Sequence, residues 1–587
     1  MFEAEQQKLE AQIQSFAAEN GLPEVSLQWG WIPFSGGWGI STSFFQMAAM
    51  EARQGKKINV SQRAGELAEQ AAAQIGTPQG FSRVEAVKGY LNLYFSTAEY
   101  TRRVVDTVLE QGSAYGCGEQ RGERVMVEFS QPNTHKAFHV GHLRSAILGD
   151  VLSRILECAG YDVVRANYPG DIGKHVMKWL WNYMNLHQGE RPEKDITRWM
   201  GALYAESNKR LEENPDMEAE VRALYVRWDQ RDPELVKLWE ETRQWSLEGF
   251  NELYDLLDIR FDRYYFPSQA EKPGKELVDM LIEKGIATDE RPDGPVIVKI
   301  DELLGLKNEK YRTFVVLRSD STALYATEDL ALAKIKFNDF PDLVKSIYVV
   351  DVRQSLHFQQ VFKTLEVAGF PFAEKCQHVS YELVNLPGNV VMASREGTVV
   401  LLEDLVREAT KRALEVVEEK NPDLSPEQKM ATARAVGIGA LKYPMLAREN
   451  TKIVTFDWEA ALDFNGQAAP YIQYAAVRAT SIIRKAGGEI PAEHAFEYEM
   501  SQSEIELVDL ISRMPKEVQR AAAEYRPLYI ASMAYDLARA FSDFYNDCPV
   551  LGAEEPVRSG RLRLVAAARQ SIANALALLG ITAPEAM

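Results

Sequence analysis

Of the eight histidines in 587 residues, three, His135, His139 and His142, fall within one stretch of eight, inside VEFSQPNTHKAFHVGHLRSAILGD (127–150). Imidazoles can donate to phosphate oxygens, and Lys136 beside them adds a mobile point charge, so the cluster suits a nucleoside triphosphate. His139 and His142 stand three apart, which also fits a fortuitous surface pair or half of a metal site.

The elements around this cluster decide where it sits. RVMVEFS reads as a strand, QPNTHKAFHVG as a turn and HLRSAILGDVLSRILECAG as a helix, followed by a second strand, DVVRANY, and the turn PGDIGK. That order is a βαβ unit, the start of a doubly wound parallel sheet, in which ligands bind beyond the carboxyl ends of strands and helix N-termini favour anions. The sheet resumes at SIYVVD (346–351), with the helix SLHFQQVFKTLEVAG and the strand CQHVSYELV after it. Between the halves lie a charged helical insertion, about 190–260, and a hairpin pairing PVIVKI with RTFVVLRS. Residues 1–115 mix a helix, QRAGELAEQAAAQI, with the strand GYLNLYFS, and beyond 403 the period is helical. The expected architecture is therefore multidomain α/β. A small α+β domain (1–115) leads into a Rossmann-like catalytic domain (116–402), and an all-α domain (403–587) closes the chain.

Composition agrees with a globular multidomain chain, at 46% apolar and 10% aromatic residues. No apolar run nears the ~18 residues of a membrane span, and MFEAEQQKLEAQIQSF lacks the pattern of a signal peptide, so a cytoplasmic protein without membrane contact is expected. Cys117, Cys158, Cys376 and Cys548 lie far apart with no CxxC pair; lone buried thiols are expected, with neither disulfide nor zinc. The net charge of −19 argues against a nucleic-acid partner, although a basic track along one face would suffice.

His139-Val140-Gly141-His142 resembles the HIGH signature of class I aminoacyl-tRNA synthetases, and the longer frame E-F-S-x-P-N-x-x-K-x-x-H-V-G-H-L-R-S resembles arginyl-tRNA synthetases in particular. NYPGDIGKH (167–175), RSDSTALYATEDLALA (318–333) and FNGQAAPYIQYAAVRATSIIRKAG (464–487) are similar to further segments of that family, in the same order, as is the terminal Met587.

The resemblance implies an arginine–tRNA ligase that uses ATP with Mg2+, L-arginine and tRNA, and a monomer is expected. His139 and His142 would then bind the phosphates, and Gly141 would admit the nucleotide to close backbone approach. The family's mobile lysine-rich loop falls at VVMASREGTVV (390–400): Met392, Ser394 and Arg395 fit, Val391 replaces the first lysine, and Lys136 is the substitute. Arginine would be held by Glu128, Ser130, Asn133, His142, Tyr325, Asp329 and Gln354, with the acids pairing to the guanidinium. Taken alone, each acid also fits an ordinary strand-end or helix-surface carboxylate, and Lys136 an ordinary solvated lysine. Pro267 stands where family members often carry an acid. Tyr471, Tyr474, Arg478 and Met587 would contact tRNA, in a segment (451–587) with thirteen basic against eighteen acidic residues. A catalytically silent tRNA-binding paralogue is the alternative, motivated by Val391.

Overall fold

The computed structural model describes residues 3–34, 36–54, 58–138, 140–386, 390–391 and 401–587. Its chain divides into two compact units. One comprises residues 1–115, 475–515 and 533–574, the other 116–474, 516–532 and 575–587.

The first unit begins with α1 (Glu3–Glu19) and contains a four-stranded antiparallel sheet in the order β1-β2-β4-β3. Its strands are β1 (Gly30–Trp31), β2 (Gly39–Ser43), β3 (Phe81–Val87) and β4 (Tyr90–Phe95), and α2 (Phe45–Arg53), α3 (Val60–Ile75) and α4 (Thr97–Gln111) accompany them. Lys88 and Gly89 both have positive φ, 48° and 88°, as a two-residue hairpin between β3 and β4 requires. Alternation in YLNLYF buries Leu91, Leu93 and Phe95 on the face that meets α3. Asn59 caps α3, its side chain accepting from Ser61 N at 3.0 Å. The buried Trp38 indole stacks on Tyr100 and donates to Asp509 at 2.9 Å, which joins a C-terminal helix to this unit.

The second unit is built on five parallel strands in the order β12-β11-β5-β6-β7. These are β5 (Arg124–Glu128), β6 (Asp162–Asn167), β7 (Arg263–Tyr264), β11 (Leu343–Asp351) and β12 (Cys376–Tyr381). Val125, Met126 and Val127 are all buried, because helices cover both faces of such a sheet. The helix α5 (Val140–Cys158) crosses from β5 to β6. A Cβ at its Gly149 would fall 2.0 Å from the Phe129 ring, so only glycine allows the helix this close to the strand end. After β6 come α6 (Lys174–Asn182) and the insertion helices α7 (Ile196–Glu213), α8 (Glu218–Asp229) and α9 (Pro233–Leu256), which share a core with Trp179, Trp239 and Trp245.

The hairpin anticipated from PVIVKI and RTFVVLRS is present, with Phe314 opposite Val298. It joins β9 (Val296–Lys299) to β10 (Thr313–Leu317), spans the short α11 (Ile300–Leu303), and gains a third strand, β8 (Ala287–Asp289). Its core is shared with α10 (Pro267–Glu283), α12 (Tyr325–Asp339) and α13 (Ser355–Val367). Then β13 (Val384–Leu386) pairs with β14 (Val390–Val391) and β15 (Val454–Thr455). The remainder is helical, as expected. It comprises α14 (Leu402–Lys420), α15 (Pro426–Leu446), α16 (Trp458–Ala461), α17 (Ala469–Lys485), α18 (Gln502–Glu524), α19 (Leu528–Asp547) and α20 (Val557–Leu578).

The cysteine expectation needs correcting. Cys117 and Cys158 form a disulfide, with Cα atoms 4.5 Å apart, while Cys376 and Cys548 are free. Distance along the chain misled because the crossover doubles back. The stretch before β5 runs beside the end of α5, with Gly118 N donating to Cys158 O at 2.7 Å and Arg121 N to Gly160 O at 2.8 Å.

Candidate active site

In this sheet the chain moves outward from β5 through β6 to β7 on one side and through β11 to β12 on the other. The crevice at the carboxyl ends of β5 and β11 is therefore the topological switch point. Glu128 ends β5 and lies opposite Tyr348 of β11, so the turn after β5, the segment after β11 and the start of α12 meet at one mouth.

The turn after β5 is locally strained and heavily braced. Ser130, Gln131 and His135 have positive φ of 76°, 45° and 59°, which non-glycine residues seldom adopt. Ser130 N donates to Ser145 Oγ at 3.0 Å, and its own hydroxyl pairs with Tyr254 of α9 at 2.7 Å. Asn167 accepts from Gln131 N at 3.2 Å and donates to the same Tyr254 hydroxyl at 3.0 Å. Asn133 bridges to Gly170, where a Cβ would come within 2.6 Å of Asn133 Oδ1. The turns after β5 and β6 are thereby joined, which explains why PGD follows the second strand.

His135 is wholly buried and acts as a brace. Its ring nitrogens pair with Thr134 Oγ1 at 2.9 Å and Thr242 Oγ1 at 2.8 Å. Burial above all, with His175 and Arg243 nearby, keeps its pKa well below the usual histidine value, so it is neutral. The half-buried His142 stands in the first turn of α5 with its ring edge-on to Phe138, centroids 5.2 Å apart. Phe138 also packs on Tyr254, so His142 belongs to the same assembly as Ser130. Lys136 lies 4.8 Å above the Tyr204 ring. Burial and the Lys136 charge push the neighbouring His175 down to about 3, leaving an uncharged imidazole beside a cation. His139, Met392, Ser394 and Arg395 lie outside the described residues, and Val391 is the last residue of β14.

The acids divide by their partners. Glu128 is 2% exposed; its carboxylate sits 2.5 Å from the buried Lys336 ammonium and accepts from Gln131 at 3.1 Å. A guanidinium approaching Glu128 would have to compete with that lysine. Asp329 is bound on one oxygen by His357 Nε2 at 2.6 Å. Asp171 is fully buried, accepting from Ser268 N and Oγ at 3.1 and 2.6 Å and pairing with Arg243 at 3.1 Å. Tyr325 is 77% exposed at the start of α12, and burial of its hydroxyl end, with Glu328 and Asp329 close by, raises its pKa. Gln354 is exposed, in the turn that opens α13. Burial first, then the charges of Asp329, Glu328, Glu128 and Asp171 in its surroundings, pushes the Tyr168 phenol well above its usual value.

Sequence reasoning missed Lys336, His357 and Arg144. Arg144, one turn into α5 and 1% exposed, donates to Lys452 O at 3.0 Å, Asn450 O at 3.1 Å, Leu383 O at 3.3 Å and Glu382 O. Burial lowers it to about 10. An arginine just before the apolar run of Ala146, Ile147 and Leu148 in α5 was the available signal.

Away from the mouth, Tyr474 is 37% exposed on α17, Tyr471 is half-buried on the same helix, and Arg478 lies 5.0 Å above the Tyr545 ring. Met587 packs against Ala413, Ala433 and Val436.

Comparison with known proteins agrees with this arrangement. The family described as "tRNA synthetases class I (R), catalytic domain" matches residues 104–458, and the "DALR anticodon binding domain" matches 472–587. The arginine–tRNA ligase of Clostridium perfringens is 36% identical over 512 residues, covering 87% of this chain and 88% of that protein. That of Bdellovibrio bacteriovorus is 35% identical, covering 88% and 89%. Among solved structures, Thermus thermophilus arginyl-tRNA synthetase superposes with a TM-score of 0.77 at 28% identity, covering 99% of this chain and all of that one. The Plasmodium falciparum arginyl-tRNA synthetase shares the fold, with a TM-score of 0.71 at 20% identity over 99% of each chain. By these matches, spanning nearly its whole length, the chain belongs to the arginyl-tRNA synthetases of class I.

Proposed function

We propose that the chain joins L-arginine to its tRNA in two steps at the mouth of the parallel sheet. The observation that carries this is the meeting, at one switch point, of a histidine-bearing turn with carboxylates around Tyr168. In the first step an arginine carboxylate oxygen bonds to the α-phosphorus of ATP, and the bond to the bridging oxygen breaks to release pyrophosphate. Mg2+ enters with the triphosphate as part of that substrate. In the second step a hydroxyl of the terminal adenosine attacks the arginyl carbonyl, and AMP leaves.

The chain supplies position and charge. His142, with His139, donates to phosphate oxygens as charge develops there. Gly141 lets the nucleotide approach the start of α5, where helix N–H groups add to the field. Lys136 faces the pyrophosphate end, sharing that work with Met392, Ser394 and Arg395. Ser130 and Asn133 orient the amino and carboxylate groups of the substrate. Tyr325 covers the guanidinium, Asp329 pairs with it through the oxygen that His357 leaves open, and Gln354 closes the pocket. Glu128 acts at its floor through Gln131 and Lys336. Lysine lacks the planar fork and would leave acceptors unpaired, a loss of several kcal/mol that makes editing unnecessary. Tyr471, Tyr474, Arg478 and Met587 meet the anticodon end of the tRNA, by stacking and contact with single-stranded bases.

The test is pyrophosphate exchange with each amino acid, with and without tRNA. Exchange with arginine alone among them, requiring tRNA, is the expected result. Exchange with another amino acid in preference to arginine would overturn the reading.

A further inference from the structure

The mouth holds one more carboxylate than the reading above employs. Glu328, in the first turn of α12, is 8% exposed, and among the described residues none donates a hydrogen bond to its carboxylate or forms an ion pair with it. Its neighbours at the mouth are answered: Glu128 by Lys336, Asp171 by Ser268 and Arg243, Asp329 by His357. The buried Tyr168 hydroxyl, which feels all four acids, also lacks a partner. A polar group largely withdrawn from water without a partner is costly, so the nearly buried Glu328 and the orphaned Tyr168 hydroxyl indicate a space shaped for a polar ligand, reached from solvent on the Glu328 side. Tyr325, Glu328 and Asp329 are related as i, i+3 and i+4, which places them on one helical face. A guanidinium presents donors along more than one edge, and a single carboxylate satisfies one edge only.

We propose that Glu328 is a second carboxylate of the guanidinium pocket, accepting from the edge that Asp329 leaves open. The proposal rests on the arginine reading of this site. Electrostatics supports the geometry. Burial first, then the charges of Asp329 on its own helix, Glu271 on α10 and Asp171 after β6, push the Glu328 carboxyl up to about 8, opposed by Arg318 after β10. Tyr225 of α8 and Tyr325 complete its titratable surroundings. Near pH 7 the free site therefore holds a proton on Glu328. An incoming cation favours the ionised form, and the proton passes to solvent. Arginine binding should strengthen as pH rises from about 6.5 to about 8.5.

The experiment titrates L-arginine by calorimetry into the full chain with its tRNA at pH 7, in two buffers of different ionisation heat. Exchange kinetics on Glu328→Gln accompany it. The expected results are release of about one proton by the wild type and none by the variant. The variant's KM for arginine should rise roughly 10- to 100-fold, with the KM for ATP and the circular dichroism spectrum unchanged. No release by the wild type, equal release by the variant, or an unchanged arginine KM would each overturn the role of Glu328. A wild-type chain that activates no arginine sinks the underlying reading as well; normal arginine activation with an indifferent Glu328→Gln sinks this inference alone.

Discussion

The end of β5 and the first turn of α12 each bring a buried carboxylate to the same mouth, and the fold treats the two in opposite ways. At Glu128 the charge is matched from within by an ammonium 2.5 Å away that is itself inaccessible to solvent. At Glu328 burial is nearly as complete but no counter-charge touches it. A carboxylate with an internal partner contributes to the integrity of the fold, whereas one without is costly until a cation arrives. The contrast separates a residue serving architecture from one available to a substrate, although both are acids at the mouth of one sheet.

The comparison is most directly broken at the lysine. Lys336→Met leaves Glu128 buried and unpaired, and should reduce stability by about 3–5 kcal/mol, read as a lower urea midpoint of tryptophan fluorescence. Glu328→Gln should leave that midpoint in place, and equal losses would erase the distinction. Lys442 supplies a reference cation, answered mainly by two carbonyls, Leu257 O and Gly580 O, both at 2.6 Å. Burial above all brings its pKa down from 10.5 to about 8, with Asp150 and Asp258 opposing the shift and Arg154 adding to it. Between pH 8 and 10.5 the unfolded chain holds a proton that the folded chain has released. Stability should therefore rise with pH across that window, by about 3 kcal/mol relative to Lys442→Met followed over the same range. A flat difference would mean that carbonyls satisfy an ammonium as well as a carboxylate does.

Smaller effects sharpen the contrast. Asp329→Asn should raise the KM for arginine about 100-fold while sparing the KM for ATP, since it removes a charge that faces substrate. A matched rise in both constants would place Asp329 in the architecture instead. Lys136→Ala should lower turnover about 10-fold with little change in arginine binding, because its proposed partner is the leaving pyrophosphate. An unchanged turnover would leave the position of Val391 without a substitute cation.

Much of this was legible in the sequence. The βαβ unit showed itself because strand, turn and amphipathic helix follow one another within forty residues, and each leaves a local periodicity. The antiparallel hairpin from PVIVKI to RTFVVLRS was legible for the same reason. The cluster after β5 stood out because histidine is scarce here and three were adjacent. Local patterning could not reveal which charges find each other. Glu128, taken alone, read first as a strand-end acid and only through the resemblance as a substrate ligand, and its partner Lys336 was out of view on a helix formed far along the chain. His135 stands in the same histidine cluster with no role assigned from its sequence, and it is a neutral brace because Thr242 arrives from the insertion. The Cys117–Cys158 disulfide was hidden likewise, by a crossover that returns one end of α5 to the start of β5. Glu328 sat in plain view within YATED but was passed over, as burial without a partner is a property of the assembled mouth.

Arg144 has a mechanical consequence. Its guanidinium is rivetted to four main-chain oxygens, two beside β13 and two beside β15, while its own backbone rides one turn behind the Gly141–His142 pair. A flat fork with donors set in one plane tolerates little shear, so a displacement of either strand base is handed to α5 as a tilt. The start of α5 is thus held in fixed register with the bases of β13 and β15 by a single side chain.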